Sequence, residues 1–182
     1  MAVKRPGKPR DKPVLVTTHA APRSSRPGAA KDKSGLYQGL AEELQALLAG
    51  ESDRTANAAN AAAAIYHSLP ALNWAGFYFA RGDVLVLGPF QGKPACVRIP
   101  IGKGVCGATA QSRRSILVPD VEAFPGHIAC DSASRSELVI PLLDGEQLLG
   151  VLDLDSPDLN RFDAEDQAGC EALAVIVVRH LR

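Results

Sequence analysis

The stretch ELVIPLLDGEQLLGVLDLD, residues 137–155, decides the architecture of this chain. Two apolar runs flank a turn built on Asp144 and Gly145, so the segment reads as a pair of strands joined by a tight hairpin. Alternation in the second run sends Leu148, Gly150, Leu152 and Leu154 to one face and Leu149, Val151, Asp153 and Asp155 to the other. Two carboxylates then share a face on an otherwise apolar strand, as in a sheet covered on both sides whose acids line a cavity. Glu137 joins them only if the register allows. A two-residue Asp144-Gly145 turn puts it on the opposite face, whereas a three-residue Leu143-Asp144-Gly145 loop pairs residues of equal parity and gathers all three acids. The three-residue loop is the expectation.

Working outward, NWAGFYFA (73–80), DVLVLG (83–88), ACVRIP (95–100) and SILVP (115–119) are further short runs rich in Val, Ile, Leu or aromatics, separated by Gly, Pro and Asp. They bring the count to about six strands. In the first run, Trp74, Gly76 and Tyr78 fall on one face. Residues 36–49 place Leu36, Leu40, Leu44, Leu47 and Leu48 on a helical stripe that ends at Gly50. The Ala-rich segment 53–67 reads as a second helix with Ser52 as N-cap, and GVCGATAQSR (104–113) as a short one. A closing helix over 163–181, capped by Asp163, buries Cys170, Leu173, Ala174, Val177, Val178 and Leu181, which makes Cys170 a core cysteine. The pattern is α+β, with helices packed on a face of one sheet.

The zero formal net charge hides an asymmetry, because residues 1–33 carry nine Lys/Arg against two Asp. This Pro- and Gly-rich basic segment cannot bury enough apolar surface to offset its ordering entropy and is expected to be a disordered tail, with residues 34–182 forming the domain. A nucleic-acid role for the tail is disfavoured, and no apolar run reaches the roughly 18 residues a membrane span requires. The four cysteines, without a secretory signal, point to a reducing compartment, here the cytoplasm.

Gly102, Gly104 and Gly107 form a G-x-G-x-x-G pattern, but too few residues follow before the next strand to hold the covering helix of a dinucleotide fold. No cofactor is implied. The cysteines lack C-x-x-C spacing and no paired histidines accompany them, so no metal site is expected. Cys130 is different: it lies in a loop of about 14 residues, 122–135, of the length that is usually functional. Its neighbours His127 and Arg135 would favour a thiolate and Asp131 would oppose it. Cys96 and Cys106 stay open between core packing and redox chemistry.

NWAGFY (73–78), GPFQGKPACVRIPIGKGVCG (88–107), VPDVEAFPGHIACDSASRSELVIPL (118–142) and GVLDLDS (150–156), in this order, resemble the free methionine-(R)-sulfoxide reductases, which are single GAF domains. The resemblance covers roughly residues 36–181. It implies a GAF-like α+β fold: an antiparallel sheet of about six strands, helices on one face and a ligand-covering loop on the other. It further implies that Cys130 is the nucleophile, that Cys96 and Cys106 hold resolving positions, and that Trp74, Tyr78, Glu137, Asp153 and Asp155 line the substrate pocket. Glu137 or Asp155 would be the acid that protonates the sulfoxide. The implied partners are free methionine (R)-sulfoxide and a thioredoxin-like dithiol, and the chain is compatible with a homodimer. The rival readings are a GAF module that senses a small ligand without chemistry, and a cysteine redox sensor.

Overall fold

The computed structural model describes residues 33–128 and 131–182. Residues 1–32 of the expected tail, and residues 129 and 130 with Cys130, lie outside the described residues, while Lys33, counted with the tail, opens the first helix. The chain begins with α1 (Lys33–Leu48) and α2 (Arg54–Ser68), continues through β1 (Trp74–Arg81), β2 (Val84–Gly92) and β3 (Arg98–Pro100), and reaches α3 (Gly104–Ser112). It then runs through β4 (Ile116–Val118), a 3-10 turn at Val121–Ala123, β5 (Ser136–Asp144), β6 (Gln147–Ser156) and α4 (Ala164–Arg179). The strands form one antiparallel sheet in the order β3-β2-β1-β6-β5-β4. Among the described residues no helix is long and apolar enough to cross a membrane.

The β5–β6 hairpin departs from the expected loop. Asp144 pairs with Gln147, leaving a two-residue turn of Gly145 and Glu146. Gly145 has φ +59°, the positive value that a II′ turn asks of its first central residue. That turn alone would send Glu137 to the wrong face. Parity is restored by a bulge: Leu143 pairs with Leu148 but Leu142 pairs with Gly150, so Leu149 is the extra residue. Beyond the bulge Glu137 lies opposite Asp155 and Val139 opposite Asp153, so the three acids share a face, as anticipated. The bulge also exchanges Leu148 and Leu149: Leu149 packs with the helices and Leu148 with the opposite core. Gly150 is required there, since a Cβ would penetrate the carbonyl oxygen of Tyr78 on β1.

The sheet separates two apolar layers. On one side Ala75, Phe77, Leu138, Ile140, Leu142, Leu152 and Leu154 meet α1, α2 and α4. Each Phe, Leu or Ile among them contributes about 1.5–3 kcal/mol when fully buried. The α1 stripe is Tyr37, Leu40, Leu44 and Leu48, while Leu47, 43% exposed, falls off it. The cap of α2 is Asp53, not Ser52: its carboxylate accepts from the Ala56 amide at 2.8 Å. Asp163 and Asp166 form a reciprocal capping box at α4, and Cys170 sits fully buried on its core face. Asp166, itself buried, accepts from the Tyr37 hydroxyl at 2.9 Å, Lys33 at 2.7 Å and Arg161 at 3.1 Å, pinning α4 to the start of α1. On the other side α3 and the segment after β4 cover Trp74, Tyr78, Val139 and Val151. The glycines before and within α3 are explained by its tight entry: Gly102 (φ +86°) and Gly104 (φ +61°) turn the chain, and Gly107 lies against the Pro100 carbonyl.

Candidate active site

The face of the sheet opposite the three long helices carries the acids. Because Trp74 pairs with Asp155 and Gly76 with Asp153, β1 adds its aromatic side chains to the same surface. Trp74 stacks with Phe90 (5.3 Å between ring centroids) and with Tyr78 (5.9 Å), and its indole N–H donates to the Lys93 carbonyl at 3.1 Å. Gly76 permits this packing, since a Cβ there would overlap Phe90.

A small cavity opens over the acids, lined by Ile99, Lys103, Gly104, Val105 and Cys106 from the α3 side. His127, Ile128, Asp131 and Ser134 line it from the loop, and Glu137, Asp153 and Asp155 from the sheet. A smaller recess under Trp74, Tyr78, Pro94 and Ala95 shares Asp131, Asp153 and Asp155 with it. Every predicted pocket residue, Trp74, Tyr78, Glu137, Asp153 and Asp155, therefore lines one of two adjoining spaces.

The carboxyls are of two electrostatic kinds. Burial, and then the charge of its neighbours, pushes the pKa of each of Glu137, Asp153 and Asp155 well above the usual carboxylate range. Asp131 behaves in the opposite way. The Ala133 amide donates to it at 2.9 Å, Asn73 Nδ2 at 3.3 Å and Lys93 at 3.3 Å, and these hold it below the usual range. The site thus combines carboxyls that hold a proton more tightly than usual with one that releases it more readily.

Burial lowers the pKa of His127, whose Nε2 lies 3.6 Å from Glu137 Oε2, so the imidazole is biased toward its neutral form. Cys106 is buried and free, and its thiol donates to Glu137 Oε1 across 4.0 Å. Burial, and then the charge of Asp153 and Glu137, raises its pKa well above the ordinary thiol value. Cys96, half-buried before β3, is disulfide-bonded. Cys170 is free, removed from the site in the helical core, and burial pushes its pKa up to about 12.

A GAF domain model matches residues 36–181. Protein YtsP of Bacillus subtilis (strain 168) is 56% identical over 138 residues, which are 75% of this chain and 85% of that protein. The free methionine-R-sulfoxide reductase of Escherichia coli (strain K12) is 49% identical over 142 residues, 78% of this chain and 86% of that enzyme. The X-ray structure of free methionine-R-sulfoxide reductase from Neisseria meningitidis in complex with its substrate superposes with a TM-score of 0.80 at 42% identity, covering 84% of this chain and 92% of that one. This chain belongs to the free methionine-R-sulfoxide reductase family.

Its reductase-family pocket contains residues that sequence reasoning passed over. Asn73, besides reaching Asp131, donates to Ser134 Oγ at 3.0 Å, and Ser134 in turn bonds Asp155. Lys93 and Lys103 are further members at the rim and the α3 entry. Nothing in their local sequence distinguishes them from ordinary polar residues, because the pocket assembles from segments far apart in the chain.

Proposed function

We propose that this chain reduces free methionine (R)-sulfoxide to methionine, with Cys130 as nucleophile and Cys96 as the thiol that resolves it. The observation that carries the proposal is the trio of buried, mutually repelling carboxyls facing a small cavity beside a stacked Trp. Burial and mutual repulsion let such a group hold a proton to higher pH than an ordinary carboxylate, ready for donation to the sulfoxide oxygen.

The Cys130 thiolate attacks the sulfoxide sulfur while Glu137 or Asp155 gives a proton to the sulfoxide oxygen. That oxygen passes to Cys130, methionine leaves as the thioether, and Cys130 remains as a sulfenic acid. A second thiol then attacks the sulfenic sulfur, releases water and closes a disulfide. Cys96 suits this step and Cys106 does not. Cys96 is already disulfide-bonded, whereas Cys106 is free and its acidic neighbours oppose the thiolate that the attack needs. A thioredoxin-like dithiol restores both thiols by exchange.

The zwitterion of a free amino acid fits the same cavity. Its ammonium would meet anionic Asp131, and its carboxylate the Lys103 side and the first turn of α3. A peptide-bound methionine replaces that ammonium by a neutral amide and loses the attraction to anionic Asp131. Trp74 would pack against the S-methyl group.

The proposal is tested by a single turnover of Cys96→Ser with free methionine (R)-sulfoxide and dimedone. The expected result is one equivalent of methionine and a dimedone adduct mapped to Cys130. An adduct on Cys106 instead, or methionine formed equally by Cys130→Ser, would refute it.

A further inference from the structure

We propose that Cys106, Glu137 and Asp153 form a binding site for a soft divalent cation of the zinc class, and that zinc held there keeps substrate out. The second half rests on the substrate assignment above; the first does not. The Cys106 sulfur and one carboxylate oxygen from each of Glu137 and Asp153 lie within 4.8 Å of one another, and all three residues are buried. A tetrahedral zinc with bonds of about 2.3 Å to sulfur and about 2.0 Å to oxygen sets these donors roughly 3.5 Å apart. The 4.0 Å between Cys106 Sγ and Glu137 Oε1 therefore has to close by only about half an ångström.

A second observation favours a cation at this site. Asp153 Oδ1 is buried, in a residue only 7% exposed, and has no hydrogen-bond partner, although the carboxyl as a whole bonds with Cys106, Glu137 and the Leu154 backbone. A buried acceptor in that state carries a desolvation cost that a coordinated cation would remove. The three donors come from α3, β5 and β6, so sheet register and helix packing fix them before any ion arrives. One thiolate with two carboxylates suits zinc better than magnesium or calcium, which take all-oxygen sets. The fourth position opens into the cavity, where a water completes the shell, as at zinc sites with three protein ligands.

Binding transfers no electrons. The thiol S–H and any carboxyl proton go to the buffer as S–Zn and O–Zn bonds form. Cysteine spacing gave no hint of this, since the site uses a single cysteine, 31 residues before Glu137. Cys106 is free while Cys96 is disulfide-bonded, so the ligand persists in the oxidised protein.

The test uses the full chain, disulfide intact and free of added thiol, titrated calorimetrically with zinc chloride and separately with cobalt chloride. The expected result is one zinc per chain and, with cobalt, a thiolate-to-metal charge-transfer absorption in the near ultraviolet. Cys106→Ser abolishes that absorption and weakens zinc binding by at least about 100-fold, and Asp153→Asn weakens it by about tenfold or more. Circular dichroism checks that each variant is folded, and Cys170→Ser, altered only in the helical core, keeps the signal. Saturating free methionine lowers the apparent zinc affinity. Zinc binding unchanged in folded Cys106→Ser, or no cobalt–thiolate absorption in the unaltered chain, overturns the site; zinc affinity indifferent to methionine overturns the exclusion. A cobalt–thiolate signal in a chain that does not reduce the sulfoxide sinks only the assigned reaction, whereas turnover without the signal sinks only the metal site.

Discussion

Replacing Asp153 by Asn removes one of three carboxyls from a shared buried cavity, and the consequence for stability changes with pH. In the folded protein burial, and then the charge of Glu137, keeps Asp153 protonated above the usual carboxylate range. In the unfolded chain the same group ionises near about 3.9. Between these limits the folded state holds one proton more than the unfolded state, so stability falls as pH rises, by about 1.4 kcal/mol per pH unit for a single group. The contribution is fully present below the unfolded value and lost as pH climbs through the folded one. Asn cannot ionise and lacks this slope. Asp163, held down to about 2, and His127, also lowered, have the opposite sign, but both proteins contain them and they cancel in the comparison. The variant is thus expected to gain on the unaltered chain as pH rises from about 4 toward neutrality, with a difference in slope of about 1.4 kcal/mol per unit from Asp153 itself and a further gain of the same sign from Asp155, whose pKa the Asp153 charge raises. Urea unfolding followed by circular dichroism at closely spaced pH values measures it. A pH-independent offset, or a gain by the unaltered chain with rising pH, would refute the reasoning.

Two other perturbations probe the scaffold. Gly150→Ala drives a Cβ into the Tyr78 carbonyl oxygen at the β1–β6 contact, and a loss of about 3 kcal/mol is expected, seen as a fall of roughly 6–12 °C in the thermal midpoint. Tyr37→Phe removes the 2.9 Å bond to the buried Asp166 carboxylate, costing about 2 kcal/mol and roughly 4–8 °C, with turnover per folded molecule unchanged.

The layers of the fold were legible because their signals are local. Short apolar runs between Gly, Pro and Asp marked the six strands, and the heptad-like spacing of α4 marked Cys170 as a core residue. The hairpin shows where such reasoning stops. A two-residue turn and a bulge at Leu149 together produce the same parity as a three-residue loop, so the shared face of Glu137, Asp153 and Asp155 was reachable from sequence while its geometric cause was not. The side of the sheet chosen by α3 could not be read either, since a nine-residue helix with little amphipathicity carries no directional signal. In the site, acids on a strand stand out against their apolar neighbours. Asn73, Lys93 and the closeness of Cys106 to Glu137 do not, because each depends on which segments the sheet brings side by side.

The most direct test of the central claim offers free methionine (R)-sulfoxide, the free (S) isomer and peptide-bound methionine sulfoxide to the unaltered chain and to Cys130→Ser, with a thioredoxin system as reductant. Reductant consumption with the free (R) isomer alone, abolished in Cys130→Ser, is the predicted result. Equal turnover of the peptide form, or activity that survives in Cys130→Ser, would contradict it.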